Sequence, residues 1–123
     1  MIEQAGYNPY DHRSYIKNYY SGGIDSPATG ALFAVNPKTQ DARLSGSLAS
    51  LCGLEKALAS KDAKAIQTSI DKITMMQAQS MFVGGVPMLF YGDEAAYTND
   101  YSYLQDPGTV SYTHLTLPTK RIV

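Results

Sequence analysis

Tryptophan is absent from this sequence, cysteine occurs once, and neither sign of charge prevails. A lone Cys52 has no partner for an internal disulfide framework. It falls in an apolar helical pattern, which predicts a buried thiol rather than a nucleophile. Ten basic residues against 11 acidic ones leave a net charge of −1, so no field exists to draw in nucleic acid or an anionic membrane surface. No apolar run approaches the roughly 20 residues a membrane span requires. The opening residues, MIEQAGYNPYDHR, lack a charged n-region followed by an apolar stretch, and no signal peptide is read there. No Cys/His cluster has metal-ligand spacing, and no metal or cofactor is expected.

What the sequence has in abundance is tyrosine. There are ten, bunched within residues 7–20 and 91–103. A tyrosine ring offers a flat apolar face and a hydroxyl, which suits sugar rings and half-buried protein surfaces alike. With 123 residues, 44% of them hydrophobic, the chain has the composition of one small globular domain or of a slice of a larger one.

Along the chain, Pro9 stiffens the approach to a helix over residues 12–20 that Asp11 is placed to cap. Ser21-Gly22-Gly23 ends it and Ser26-Pro27 continues the loop. Residues 30–35 (GALFAV) read as a short extended segment, and Asn36-Pro37-Lys38-Thr39 as a turn. Leu48, Leu51, Leu54 and Leu58 recur at helical spacing and predict one helix, capped by Ser45 or Ser47. A second helix begins near Ser60 or Asp62, carries Ile66, Ile70 and Ile73 on one face, and stops at Gly84-Gly85. Residues 86–91 (VPMLFY) are apolar without alternation, as in a parallel strand buried on both faces, with Pro87 tolerable only near its start. Gly92-Asp93-Glu94 sets two carboxylates at the strand's exit. Together these form one αβ step of a barrel or doubly wound sheet, whose sites lie at that end of the strands. A barrel domain needs about 250 residues, so most of it would lie elsewhere.

Residues 110–119 read VSYTHLTLPT, which is the translation of a transposase adapter used to prepare sequencing libraries. Residues 110–123 are therefore expected to be translated adapter and read-through, His114 included, and contribute nothing to fold or function.

Three blocks carry a resemblance. Residues 84–103, GGVPMLFYGDEAAYTNDYSY, hold Gly85-Val86-Pro87, the apolar run and Gly92-Asp93-Glu94. Tyr10-Asp11-His12-Arg13 stands upstream. Between them lies FAVNPKTQDARLSGSL, with Asn36, Pro37, Thr39, Asp41, Arg43, Ser45 and Gly46. In this order the blocks resemble glycoside hydrolase family 13. The Gly-x-Pro-apolar-Gly-Asp-Glu pattern is similar to that at the family's eighth barrel strand. Asn99-Asp100-Tyr101-Ser102-Tyr103 resembles its amylosucrase and sucrose hydrolase branch.

The resemblance implies an α/β fold, a fragment of a TIM (β/α)8 barrel that is mostly helical in isolation. Residues 1–43 would belong to the lobe inserted after strand seven, and residues 44–108 would supply helices, strand eight and the start of its loop. The intact parent would transfer a glucosyl unit from sucrose to an α-glucan through a covalent glucosyl-Asp, with retention. The family's catalytic carboxylates belong to strands four, five and seven, none of them in this chain, so no catalytic residue is assigned and the fragment is expected to be inactive alone. Arg13, Tyr15, Asn36 and Arg43 match positions contacting acceptor glucose units: Arg forks onto hydroxyls, Asn donates and accepts, Tyr stacks. Tyr15 stands where relatives often have Phe, and Ala34 where some have Gln.

Other residues draw blander readings. Adjacent residues on an extended chain point to opposite faces, so Asp93 and Glu94 are expected to hold loops rather than form an acid/base pair. His12 reads as an exposed first-turn residue. Two alternative functions remain: a sucrose or α-glucan hydrolase of the same family, with water as acceptor, and a small non-catalytic helical interaction module.

Overall fold

A computed structural model describes residues 3–105. The adapter-like stretch lies outside the described residues. After a 3-10 turn, Glu3–Ala5, the first helix, α1, spans Pro9–Tyr20. Its cap is Asn8 rather than the expected Asp11: the Asn8 Oδ1 accepts from the Tyr10 N–H at 2.9 Å. Pro9 explains the earlier start, because at the first helical position its preset φ fits and its missing N–H costs nothing. Asp11 sits instead in the first turn, where its charge meets the positive end of the helix dipole. The helix stops at Ser21-Gly22, as its sequence predicts, with Gly22 at φ 79° donating to the Tyr19 carbonyl.

Two short strands follow, β1 (Ala31–Phe33) and β2 (Arg43–Ser45), paired antiparallel with Leu32 opposite Leu44. β1 falls inside the expected extended segment. The connection holds the expected turn: Asn36 Oδ1 accepts from the N–H groups of Lys38 (2.9 Å) and Thr39 (3.3 Å). Gly30 ties β1 to the end of α1, its N–H donating to the Tyr20 carbonyl at 2.7 Å. A Cβ on Gly30 would stand 2.5 Å from that carbonyl oxygen, so only glycine permits the approach.

The leucine stripe does not form one helix. It divides into α2 (Leu48–Leu51) and α3 (Leu54–Ser60), with Gly53 between them at φ 92°. Pro27 packs where a side chain on Gly53 would go, at 2.7 Å from an ideal Cβ. The break turns Leu54 into the core and leaves Leu58 half exposed. Ser47 caps α2, its Oγ accepting from the Ser50 N–H. The last helix, α4, spans Ala63–Phe82; Asp62 caps it through Lys64 N–H, and Gly84 and Gly85 follow it at φ 96° and 90°. The buried face of α4 runs through Ile66, Ser69 and Ile73, while Ile70 is exposed, which corrects the expected isoleucine stripe. Ser69 is tolerated inside because its hydroxyl returns to the Ala65 carbonyl.

The core is small: Ala49, Cys52, Leu54 and Ile73, with Leu48, Ile66 and Ala96 packed around them. Cys52 is buried, as expected, and desolvation raises its pKa above the usual thiol value, against a lowering pull from Lys72. Residues 86–90 form no ladder, and Val86 and Met88 are 89% and 84% exposed. The expected buried strand is absent there, and the physical reason is a lack of partners. A parallel strand needs neighbours on its edges and layers on its faces, and the β1–β2 pair offers neither to it. A 3-10 turn, Asp93–Ala95, then brings the chain back to the core, and another, Ser102–Gln105, closes the described chain.

Candidate functional site

Two polar regions stand out, one a surface cleft and the other largely buried. The first is a cleft of about 340 Å³ where α1 meets the β1–β2 connection, lined by Tyr10, Arg13, Lys17, Thr39, Gln40 and Asp41 among others. Arg13 Nη1 pairs with Asp41 Oδ2 at 2.8 Å, and Lys17 Nζ donates to the Gln40 carbonyl at 2.7 Å. Both partners of the ion pair are solvated, so it orients Arg13 more than it stabilises the fold. A guanidinium beside a carboxylate, with a tyrosine ring at the rim, is equipped to bind hydroxyl-rich ligands.

Of the four expected binding residues, only Arg13 lines this cleft. Tyr15, two positions on and so about 200° around the helix, faces elsewhere and stacks on Tyr19 with centroids 6.2 Å apart. Asn36 flanks the same connection, but its side-chain oxygen is committed to the turn. Arg43 is exposed on β2, opposite Phe33. The four are not gathered into one site.

The second region is a buried polar network centred on Asn99, which no periodicity in the sequence signals. Asn99 is 8% exposed, and its N–H and both polar ends of its side chain are engaged. Its N–H donates to Ser50 Oγ (2.9 Å), and its Nδ2 to the Thr29 carbonyl (2.7 Å) and to Tyr101 Oη (3.3 Å). Its Oδ1 accepts from the Ser47 N–H at 2.8 Å. The Glu55 carboxylate accepts in turn from the hydroxyls of Thr29 (2.9 Å), Ser50 (2.8 Å) and Tyr101 (2.9 Å). Desolvation pushes the Tyr101 hydroxyl above the ordinary tyrosine value, and the neighbouring Glu55 adds to this against the Asn99 contact. This network of bonds ties the chain after the two acids to the α2–α3 corner. The only signal for it in the sequence is the Asn99–Tyr103 block, whose partners at positions 29, 47, 50 and 55 are scattered.

The two acids themselves part company. Glu94 Oε2 accepts from the Gly92 N–H at 2.8 Å, closing a local turn. Asp93 points to the start of α2; its pKa is raised by desolvation, pulled back by the Leu48 N–H and pushed up again by Glu94. Neither acid is seen cooperating with the other across a shared cleft. Among the described residues no group of His, Cys, Asp and Glu is arranged to hold a metal, and no helix is long and apolar enough to cross a membrane. No protein-family model matches the chain.

Proposed function

We propose that the chain is a fragment of a carbohydrate-active (β/α)8-barrel enzyme resembling the amylosucrase branch of glycoside hydrolase family 13. The intact parent transfers a glucosyl unit from sucrose to an α-glucan, and the fragment alone is inactive. The observation that carries the reading is the order of three sequence blocks: Tyr10-Asp11-His12-Arg13, the Asn36–Gly46 segment, and the apolar run ending in Gly92-Asp93-Glu94 with Asn99–Tyr103 beyond it.

Two features of the geometry support it. An unpaired, exposed apolar hexapeptide between a long helix and two acids is what an isolated eighth strand would leave behind. The Arg13–Asp41 cleft, on residues of the lobe-like segment, has the donors and acceptors an acceptor sugar needs. Catalysis in a retaining enzyme of this kind requires two carboxyl groups about 5–5.5 Å apart across the glycosidic bond. Those would come from the remainder of the barrel.

The test is incubation of the intact parent with sucrose. Polymer together with free fructose is the expected product. Equimolar glucose and fructose without polymer overturns transfer and leaves the hydrolase.

A further inference from the structure

Residues 93–101 rest on the α2–α3 corner at three places. Asp93 faces the Leu48 N–H at the start of α2, and Asn99 is bonded to Ser47, Ser50 and Thr29. The third is Tyr101, whose Oη stands 2.9 and 3.1 Å from the two carboxylate oxygens of Glu55, 46 positions earlier in the chain. Of the three, this contact alone sets a titratable donor against a negative charge on another element.

That contact depends on one proton. A phenol donates to a carboxylate, whereas a phenolate has nothing to donate and sets a second anion across the same gap. Glu55 is not free to turn away, because its Oε2 also accepts from the hydroxyls of Thr29 (2.9 Å) and Ser50 (2.8 Å). Apart from burial, the groups acting on the Tyr101 hydroxyl are Asn99, Glu55 and Thr29, and of these only Glu55 carries charge. Lys56, next along α3, donates to the Ser26 carbonyl at 2.6 Å, and Asp100 accepts from the Ser102 N–H at 2.9 Å. The Tyr101 side of the latch is 41% exposed, so base reaches the phenol from solvent. Its loss does not stay local. Ser50 Oγ donates to Glu55 and accepts from the Asn99 N–H, and Asn99 Nδ2 donates to Tyr101 Oη at 3.3 Å. The Tyr101 and Asn99 contacts share partners and are lost together.

We infer that the Tyr101–Glu55 contact is a proton-operated latch: with the phenol intact, residues 96–101 are held against α2 and α3, and removal of its proton releases them about Asp93. The inference stands apart from the proposed activity, since every group in it belongs to this chain. Release uncovers the side of the core against which Ala96 packs. The two states differ by one charge at one oxygen, which is what a local two-state element needs to respond to pH.

The Ala96 methyl group, packed on the core, reports the event. The full 123-residue chain, labelled at its alanine methyl groups and tyrosine rings, is titrated by NMR from neutral pH through the tyrosine range. The latch predicts that the Ala96 methyl resonance moves to the position of an exposed alanine as Tyr101 ionises, with the same midpoint. In Tyr101→Phe it keeps its folded position across that range. Glu55→Gln removes the negative charge and offers an amide N–H to the phenolate, so there Tyr101 ionises and the Ala96 methyl stays in place. An Ala96 methyl that stays in place in the unaltered chain while Tyr101 ionises overturns the latch. Release in Glu55→Gln on ionisation of Tyr101 overturns it too, because like-charge repulsion is then not the cause. Release in Tyr101→Phe over the same range overturns it as well, since another group is then responsible.

Discussion

At the scale of single residues, Asn99 is the most consequential side chain described. Its replacement by Ala strands the Ser47 N–H and the Thr29 carbonyl, and an unsatisfied buried group costs about 1–3 kcal/mol. The expected outcome is faster hydrogen exchange at the Ser47 amide, by about tenfold or more. An unchanged exchange rate would remove the network's structural role. Tyr101 supplies a pH test. Its raised pKa means that the folded state holds the phenolic proton more tightly than the unfolded chain does. The corresponding stability is present below the ordinary tyrosine value and is lost as pH rises through the folded one. Ultraviolet titration is expected to show a late-ionising tyrosine that disappears in Tyr101→Phe. For the proposed acceptor cleft, Arg13→Ala in the intact parent is expected to raise the acceptor KM about tenfold, the loss of one charge-assisted hydrogen bond, with the turnover of sucrose in water unchanged. A fall in sucrose turnover with no change in acceptor KM would place Arg13 elsewhere in the reaction.

Elements were legible in the sequence where local chemistry decides them. The turn at Asn36-Pro37, the Ser47 and Asp62 caps and the glycine stop after α4 each depend on one or two residues and their immediate neighbours, and each is found. The leucine stripe misled because spacing alone cannot register Gly53 at positive φ against Pro27, a contact made across 26 positions of sequence. The isoleucine stripe misled at Ile70 because Ser69 satisfies its own hydroxyl and takes the inward place. The expected binding residues follow from resemblance rather than from local chemistry, and of them only Arg13 lines the Tyr10–Asp41 cleft, while the Asn99 network joins residues up to 70 apart and leaves no local trace. Gly53→Ala tests the break directly. The positive φ and the 2.7 Å approach to Pro27 together predict a loss of about 1–3 kcal/mol, measured by urea unfolding followed by helical circular dichroism. A stabilising effect would mean that α2 and α3 join into one helix in solution.

At the scale of the molecule, the described residues include few buried apolar side chains and many exposed ones, Phe82, Val86 and Met88 among them. A core this small does little against the conformational entropy of roughly a hundred residues. Calorimetry of the 123-residue chain is therefore expected to give a broad, weak transition, whereas a sharp one would favour a self-sufficient interaction module. The central proposal is that the apolar hexapeptide before Asp93 and Glu94 is one stave of a barrel encoded mostly outside this reading frame. Sequencing the source DNA on both sides of the frame tests it most directly. The account predicts a His-Asp pair encoded immediately ahead of Met1, and native codons in place of residues 110–123. A translation start signal directly before Met1, with the same last fourteen residues written in the genome, would contradict it.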